Sequence, residues 1–154
     1  LSELEVHTRG DMGDLPRAAV HADVFRDNVL WSGPAGRETL SGVIDFYFAG
    51  MDSLMFDVAV TVNDWCVDTQ GKLEPERCGA LLAAYRRARE FTPAERAAWP
   101  LVIRAAALRF WLSRLFDFYL PRPGVLTHAH DPGHFQRILE LRRSEHAALP
   151  ASFT

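Results

Sequence analysis

Residues 101–120 form a run that is apolar on more than one side, through Val102, Ala105, Ala106, Leu108, Phe110, Trp111, Leu112, Leu115, Phe116, Phe118 and Tyr119. Its polar members are Arg104, Arg109, Ser113, Arg114 and Asp117. A helix of this kind cannot lie on a surface with half of its circumference in water. Other helices must cover it from several directions. The run therefore predicts the central helix of one mainly helical domain, and Pro121-Arg122-Pro123-Gly124 ends it.

The covering elements are legible on either side. Over residues 53–65, Leu54, Phe56, Val58, Ala59, Val62 and Trp65 mix helical spacing with extra apolar positions, which predicts a mostly buried helix. Glu74-Pro75-Glu76 opens another, with Pro in the first turn and acids at the positive end of the dipole. Its inward residues are Leu81, Leu82, Ala84 and Tyr85, and Arg86-Arg87-Ala88-Arg89 is its solvated end. Thr92-Pro93-Ala94-Glu95 is a capping box, and Pro100 interrupts the helix it starts or begins a new one. Asp131-Pro132 caps a last helix that turns Phe135, Ile138, Leu139 and Leu141 inward. At the start of the chain, residues 2–7 are expected to be the end of a helix and residues 9–16 a loop. The Arg9-Gly10-Asp11 triplet there is read as an accident of a turn.

Composition narrows the class of partner. A net charge of −3 with no basic stripe gives no electrostatic footprint for nucleic acid. No apolar run approaches the length of a membrane span, and no signal peptide opens the chain. Cys66 and Cys78 have no metal or redox spacing. They read as reduced thiols of a cytoplasmic protein, with a bridge between them left open.

The chemistry concentrates in residues 20–30. His21 is followed two residues later by Asp23, and five residues after that by Asn28. This is the His-x-Asp-x4-Asn spacing of a kinase catalytic loop. Ala18-Ala19-Val20 leads in as a short strand. Val29-Leu30-Trp31 and Leu40-Ser41-Gly42-Val43-Ile44 flank the turn cluster Ser32-Gly33-Pro34-Ala35-Gly36, predicting a hairpin. That hairpin makes neighbours of Asn28, where one strand begins, and Asp45, where the other ends. Transfer of a phosphoryl group from a nucleotide needs a carboxylate near the attacking hydroxyl, oxygen ligands for Mg²⁺ and a positive clamp on the phosphates. Asp23 suits the first role as catalytic base, and Asn28 and Asp45 suit the second. His21 is read as a brace for the loop backbone. The plainer reading, turn residues and a strand-start cap, does not account for Asn28 at the right offset together with Asp45 at the hairpin exit.

These residues carry a resemblance. His21-Ala22-Asp23-Val24-Phe25-Arg26-Asp27-Asn28-Val29, Gly42-Val43-Ile44-Asp45-Phe46-Tyr47 and Phe56-Asp57-Val58-Ala59 resemble the aminoglycoside phosphotransferase and choline kinase superfamily. Val62-Asn63-Asp64-Trp65-Cys66, Leu81-Leu82-Ala83-Ala84-Tyr85 and Arg109-Phe110-Trp111-Leu112-Ser113-Arg114-Leu115 narrow it toward the homoserine kinases of that superfamily. The resemblance implies a mainly α (α+β) protein-kinase-like C-lobe, with a small β-hairpin at the catalytic loop followed by a helical bundle. It implies phosphorylation of the side-chain hydroxyl of L-homoserine by ATP with Mg²⁺. Asp23 stands in the place of the catalytic base, Asn28 and Asp45 in those of the metal ligands. Asp57 matches the helix acid that holds the catalytic-loop backbone.

The resemblance also implies an N-terminal nucleotide-binding lobe with a glycine-rich loop and a strand lysine. Neither is matched here: Lys72, the one lysine beside sixteen arginines, follows Gly71 in a polar loop. The chain, which begins at Leu1, is therefore expected to be the C-terminal lobe over residues 1–154 and to have little or no kinase activity by itself. For the acceptor, Arg114 and Arg109 are the candidate fork for a carboxylate. Asp64 is the candidate for an ammonium, Trp65 or Trp111 for a wall, and Arg26 with Asp27 for further contacts. Both arginines pairing instead with Asp57 or Asp117 stays open. So do choline, an amino sugar or another small hydroxyl compound as acceptor, and a non-catalytic module that binds a small molecule. The group His128, His130, Asp131 and His134 fits no zinc spacing and reads as a polar loop.

Overall fold

The capping box at Thr92 starts the element on which everything else rests. A computed structural model of the chain describes residue 3, residues 14–120 and residues 131–144. In it α1 spans Leu54–Trp65, α2 Pro75–Ala88, α3 Pro93–Tyr119 and α4 Pro132–Ser144. Four short strands precede them: β1 Arg17–Val20, β2 Val29–Ser32, β3 Thr39–Val43 and β4 Gly50–Ser53. The mainly helical class expected from the sequence is the one observed.

α3 is one continuous helix of 27 residues with Pro100 inside it, so the proline neither interrupts nor restarts it. A mid-helix proline costs about 3 kcal/mol. Trp99, Val102, Ile103, Ala106 and Ala107 are buried around this one, and their removal from water outweighs that cost. α3 packs chiefly against α1 and α4, and their shared apolar faces form the core.

The 3.6-residue period is sharper in the structure than in the sequence reading. On α4 it buries Phe135, Ile138, Leu139 and Arg142, leaving Leu141 half-covered. Arg142 is satisfied without leaving the core: its Nε donates to Asn63 Oδ1 at 3.1 Å and its Nη2 to the Gly71 carbonyl at 3.3 Å. Asn63 in turn donates to the Ile103 carbonyl at 2.9 Å. On α2 the buried residues are Cys78 and Leu82, while Ala84, expected inward, is exposed. Arg89 is not merely a solvated helix end. It pairs with the Glu95 carboxylate of the capping box and lies 5.4 Å from the Tyr85 ring centroid. Cys66 and Cys78 are free and buried, and the hydrogen bond between them, with burial, pushes the Cys66 thiol above its ordinary range.

Gly71 sits at φ +84° where an added Cβ would lie 2.8 Å from Ile138 Cγ1. Gly71→Ala combines left-handed backbone with a clash against a fully buried side chain. It should destabilise the protein by about 1–3 kcal/mol in denaturant unfolding.

β2 and β3 pair antiparallel, with a bulge between Leu30 and Trp31. A second two-stranded sheet pairs β1 with β4, Ala18 opposite Asp52 and Val20 opposite Gly50. β4 was not anticipated, because Gly50-Met51-Asp52-Ser53 carries neither alternation nor β-branched residues. Among the described residues no helix is long and apolar enough to cross a membrane. The helix end expected over residues 2–7, the Arg9-Gly10-Asp11 loop, the break over residues 121–124, and His128 and His130 lie outside the described residues. Glu3 alone of the first group is described; it is helical and receives Arg104 at 2.7 Å and Arg143 at 3.3 Å.

Candidate active site

The loop between β1 and β2 is fastened to the core by Phe25. Its ring lies 4.5 Å from that of Phe110 on α3 and stacks on Phe135 of α4 at 5.8 Å. The Trp65 indole N–H donates to the Val24 carbonyl at 2.9 Å, holding the same segment from α1. Phe25 was not assigned in the sequence, because an apolar residue inside a loop has no period to give it away; Trp65, placed on the helix by its period, holds the loop through its indole N–H.

Asp57, in the first turn of α1, holds the other end of the loop. Its Oδ2 accepts from the His21 backbone N–H at 3.1 Å and its Oδ1 from that of Ala22 at 2.8 Å. The buried His21 ring donates from Nε2 to the Ile44 carbonyl at 2.9 Å and packs 4.6 Å from Phe46. This ties the loop to the segment that carries Asp45. Ile44 N–H donates to the Asn28 carbonyl at 2.9 Å, so the hairpin makes Asn28 and the Asp45 segment neighbours.

Among the described residues, two other than glycine have left-handed backbone: Ala22 and Asp45, both at φ 63°. One immediately precedes Asp23 and the other is the hairpin-exit acid itself. Each costs roughly 1–3 kcal/mol and persists only where surrounding contacts enforce it. Strain confined to these two positions points to this loop pair as the working part of the molecule.

Asp23 is half-buried. Burial pushes its carboxyl above the ordinary value, and Asp45 adds to the rise; Arg109, Arg114 and Asn28 pull against it without cancelling it. Asn28 Nδ2 donates to the Asp23 carbonyl at 2.8 Å and to its Oδ2 at 3.2 Å. The amide nitrogen is thus engaged, and Asn28 Oδ1 makes no hydrogen bond among the described residues. Asp45 Oδ1 accepts weakly from Tyr47 N–H at 3.4 Å, and no donor among the described residues reaches its Oδ2. Two hard oxygens from adjacent strand ends suit Mg²⁺, which takes one or two protein ligands and completes its shell with water and phosphate. Among the described residues no group of three or more His, Cys, Asp or Glu is placed to hold a metal.

The remaining predicted residues divide into two sets. Arg26 and Asp64 find each other: Arg26 N–H donates to Asp64 Oδ2 at 2.8 Å, and its Nε lies 3.3 Å from the same oxygen. Arg109 donates from Nη1 to the Ala22 carbonyl at 3.4 Å and lies over the rings of Phe48 (4.7 Å) and Phe110 (4.5 Å). Arg114 is half-buried and makes no hydrogen bond or ion pair among the described residues. Burial pushes its guanidinium down from the ordinary value, while Asp23, Asp117, Asp27 and Asp64 hold the charge from a distance. Neither arginine pairs with Asp57, whose two oxygens serve the loop backbone.

His134 was missed as a neighbour of the site. Burial lowers its pKa, Arg137 and Arg26 add to this, and Asp64 and Asp131 oppose it. It lies on α4 and not in a loop, within reach of the charges of Arg26 and Asp64. Nothing in the sequence joins it to residues some 70 positions away; only the packing of α4 does.

A mainly helical lobe with this loop pair on its flank has the architecture of a kinase-like phosphotransferase. An ethanolamine kinase of Plasmodium vivax superposes with a TM-score of 0.59 at 13% identity, over 91% of this chain and 36% of that one, which shows the fold. Residues 2–91 match the model of the phosphotransferase enzyme family, and the chain belongs to that family. It is 55% identical to a homoserine kinase of Janthinobacterium sp. over 91% of its length, and 53% identical to one of Burkholderia ambifaria over 94%. The chain spans less than half the length of these relatives, 42% and 45% respectively.

Proposed function

We propose that the protein containing this chain phosphorylates the hydroxyl of L-homoserine with Mg²⁺-ATP, and that this chain is the lobe supplying base, metal ligands and acceptor site. The observation that carries the reading is Arg114. A half-buried guanidinium with no hydrogen-bond or ion-pair partner among the described residues, close enough to Asp23 to feel its charge, is a receptor for an acceptor carboxylate. The names of the similar proteins supply the acceptor: homoserine carries that carboxylate and a primary hydroxyl.

In this reading Asp23 takes the hydroxyl proton as the acceptor oxygen bonds to the γ-phosphorus. The bond from that phosphorus to the bridging oxygen breaks and ADP leaves. Asn28 and Asp45 would hold Mg²⁺, which neutralises charge on the phosphate oxygens when bound. His21 and Asp57 fix the loop. Asp64, paired with Arg26, would meet the acceptor ammonium, and Trp65 or Trp111 would wall the pocket. Exposed Phe46, Tyr47 and Phe48 follow Asp45 directly, exposed Trp31 and Leu40 pair on the hairpin that leads to it, and these rings and side chains suit a covering nucleotide-binding lobe formed by the rest of the protein. Two unbridged, buried thiols suit a reducing, cytoplasmic setting.

The test is steady-state ADP release by the full-length protein with homoserine, choline, ethanolamine and an amino sugar as acceptors, for the parent and for Arg114→Ala. The parent should turn over homoserine in preference to the others. The variant should raise the homoserine KM by about 10–100-fold, the worth of a charged hydrogen-bonded contact. Preference for a cationic acceptor without a carboxylate, or an unchanged KM in the variant, would overturn the assignment.

A further inference from the structure

Arg109 stands beside Arg114 on α3 but is already occupied, and its contacts are with the two strained loops. Ala22, at φ 63°, is held on its N–H side by Asp57 at 2.8 Å. Its carbonyl, in the peptide leading to Asp23, is held by Arg109 Nη1 at 3.4 Å. The same guanidinium lies 4.7 Å from the ring of Phe48, the last residue of the 3₁₀ turn that Asp45 caps. The ring of Phe110 lies 4.5 Å from the same guanidinium. One rigid planar group from the core helix therefore touches the peptide that aims Asp23 and the turn that aims Asp45. Single left-handed residues keep their conformation only while neighbours enforce it, and a stacked, hydrogen-bonding arginine enforces both at once.

We infer that Arg109 is a positioning residue which locks the base-bearing loop and the metal-ligand loop into one geometry, and is not a ligand of the acceptor. The inference rests on the phosphotransfer reading above. Arg109 also faces Asp23 and Asp52, with Asp45 and Arg114 the other charged groups around Asp23.

Arg109→Met in the full-length protein should lower kcat by about 10–100-fold, with the acceptor KM changed less than about twofold. The Mg²⁺ concentration for half-maximal rate should rise. Phe48→Leu, which alters an exposed ring and leaves the core intact, should give the same pattern at smaller amplitude. Ala22→Gly, which removes the strain, should restore a several-fold part of kcat to Arg109→Met but none to Arg114→Ala. An acceptor KM raised tenfold or more at unchanged kcat would make Arg109 a substrate ligand and overturn the inference. Unchanged Mg²⁺ dependence in both Arg109→Met and Phe48→Leu would overturn it equally. A parent protein inactive with homoserine but active with another hydroxyl acceptor would overturn only the homoserine assignment, and the same kcat–KM split is then read with that acceptor. A parent inactive with every acceptor overturns both.

Discussion

Asp23→Asn in the full-length protein should lower kcat by about 10²–10⁴-fold, the range associated with loss of a positioned general base. The amide is isosteric with the carboxylate, so the 3.2 Å contact from Asn28 has an oxygen to persist with, and the backbone bonds from Asp57 do not involve this side chain. What disappears is the ability to take a proton and the negative charge facing Arg109 and Arg114. The acceptor KM should therefore move far less than kcat. The pH profile carries the signature. Burial places the Asp23 carboxyl above its ordinary value of about 3.9, and the base works only when ionised. The parent rate should rise with pH through a value above 3.9, and that limb should be missing from the residual rate of the variant. A loss smaller than about tenfold would remove Asp23 from the chemistry.

The largest stability effect is expected on the far side of the lobe. Glu95 is fully buried, and its carboxylate accepts from Arg89 and from Thr92 N–H at 2.8 Å. Arg89→Met leaves that carboxylate without its counter-charge and should cost about 3–5 kcal/mol in denaturant unfolding near neutral pH. The sign with pH is fixed by the carboxyl. Burial pushes it up, but Arg89 and Thr92 outweigh burial and leave it below the ordinary value. Such a group contributes its stability above the unfolded value of about 4.3 and loses it as pH falls through the lower folded value. The gap between parent and variant should be full near pH 7 and close below about pH 4. A gap that persists unchanged into acid would mean that lost packing of the Arg89 stem, not charge, is being measured.

Local rules decided a large part of this protein in advance. The catalytic-loop spacing from His21 to Asn28, the hairpin that follows it, the capping box at Thr92 and the apolar breadth of residues 101–120 are patterns over a few residues. Sterics, caps and period act at that range, so the elements could be placed before any contact was known. The family resemblance at residues 21–29, 42–47 and 109–115 lies in the same stretches.

Tertiary packing decided what those elements do to one another. It kept α3 helical through Pro100, because burial on several sides outweighs one broken turn. It put Arg142 in the core and Ala84 at the surface, turned Arg89 from a solvated end into the partner of a buried acid, and paired β1 with a strand of no evident β pattern. It separated two arginines that looked equivalent in the sequence. Arg109 is spent on Ala22, Phe48 and Phe110, while half-buried Arg114 makes no hydrogen bond or ion pair among the described residues. It also fastened the catalytic loop to the core through Phe25, packed on Phe110 and Phe135. The physical reason is range. Propensity and capping are fixed by neighbours along the chain, whereas burial and charge pairing are fixed by groups dozens of residues apart that meet only once the core has formed.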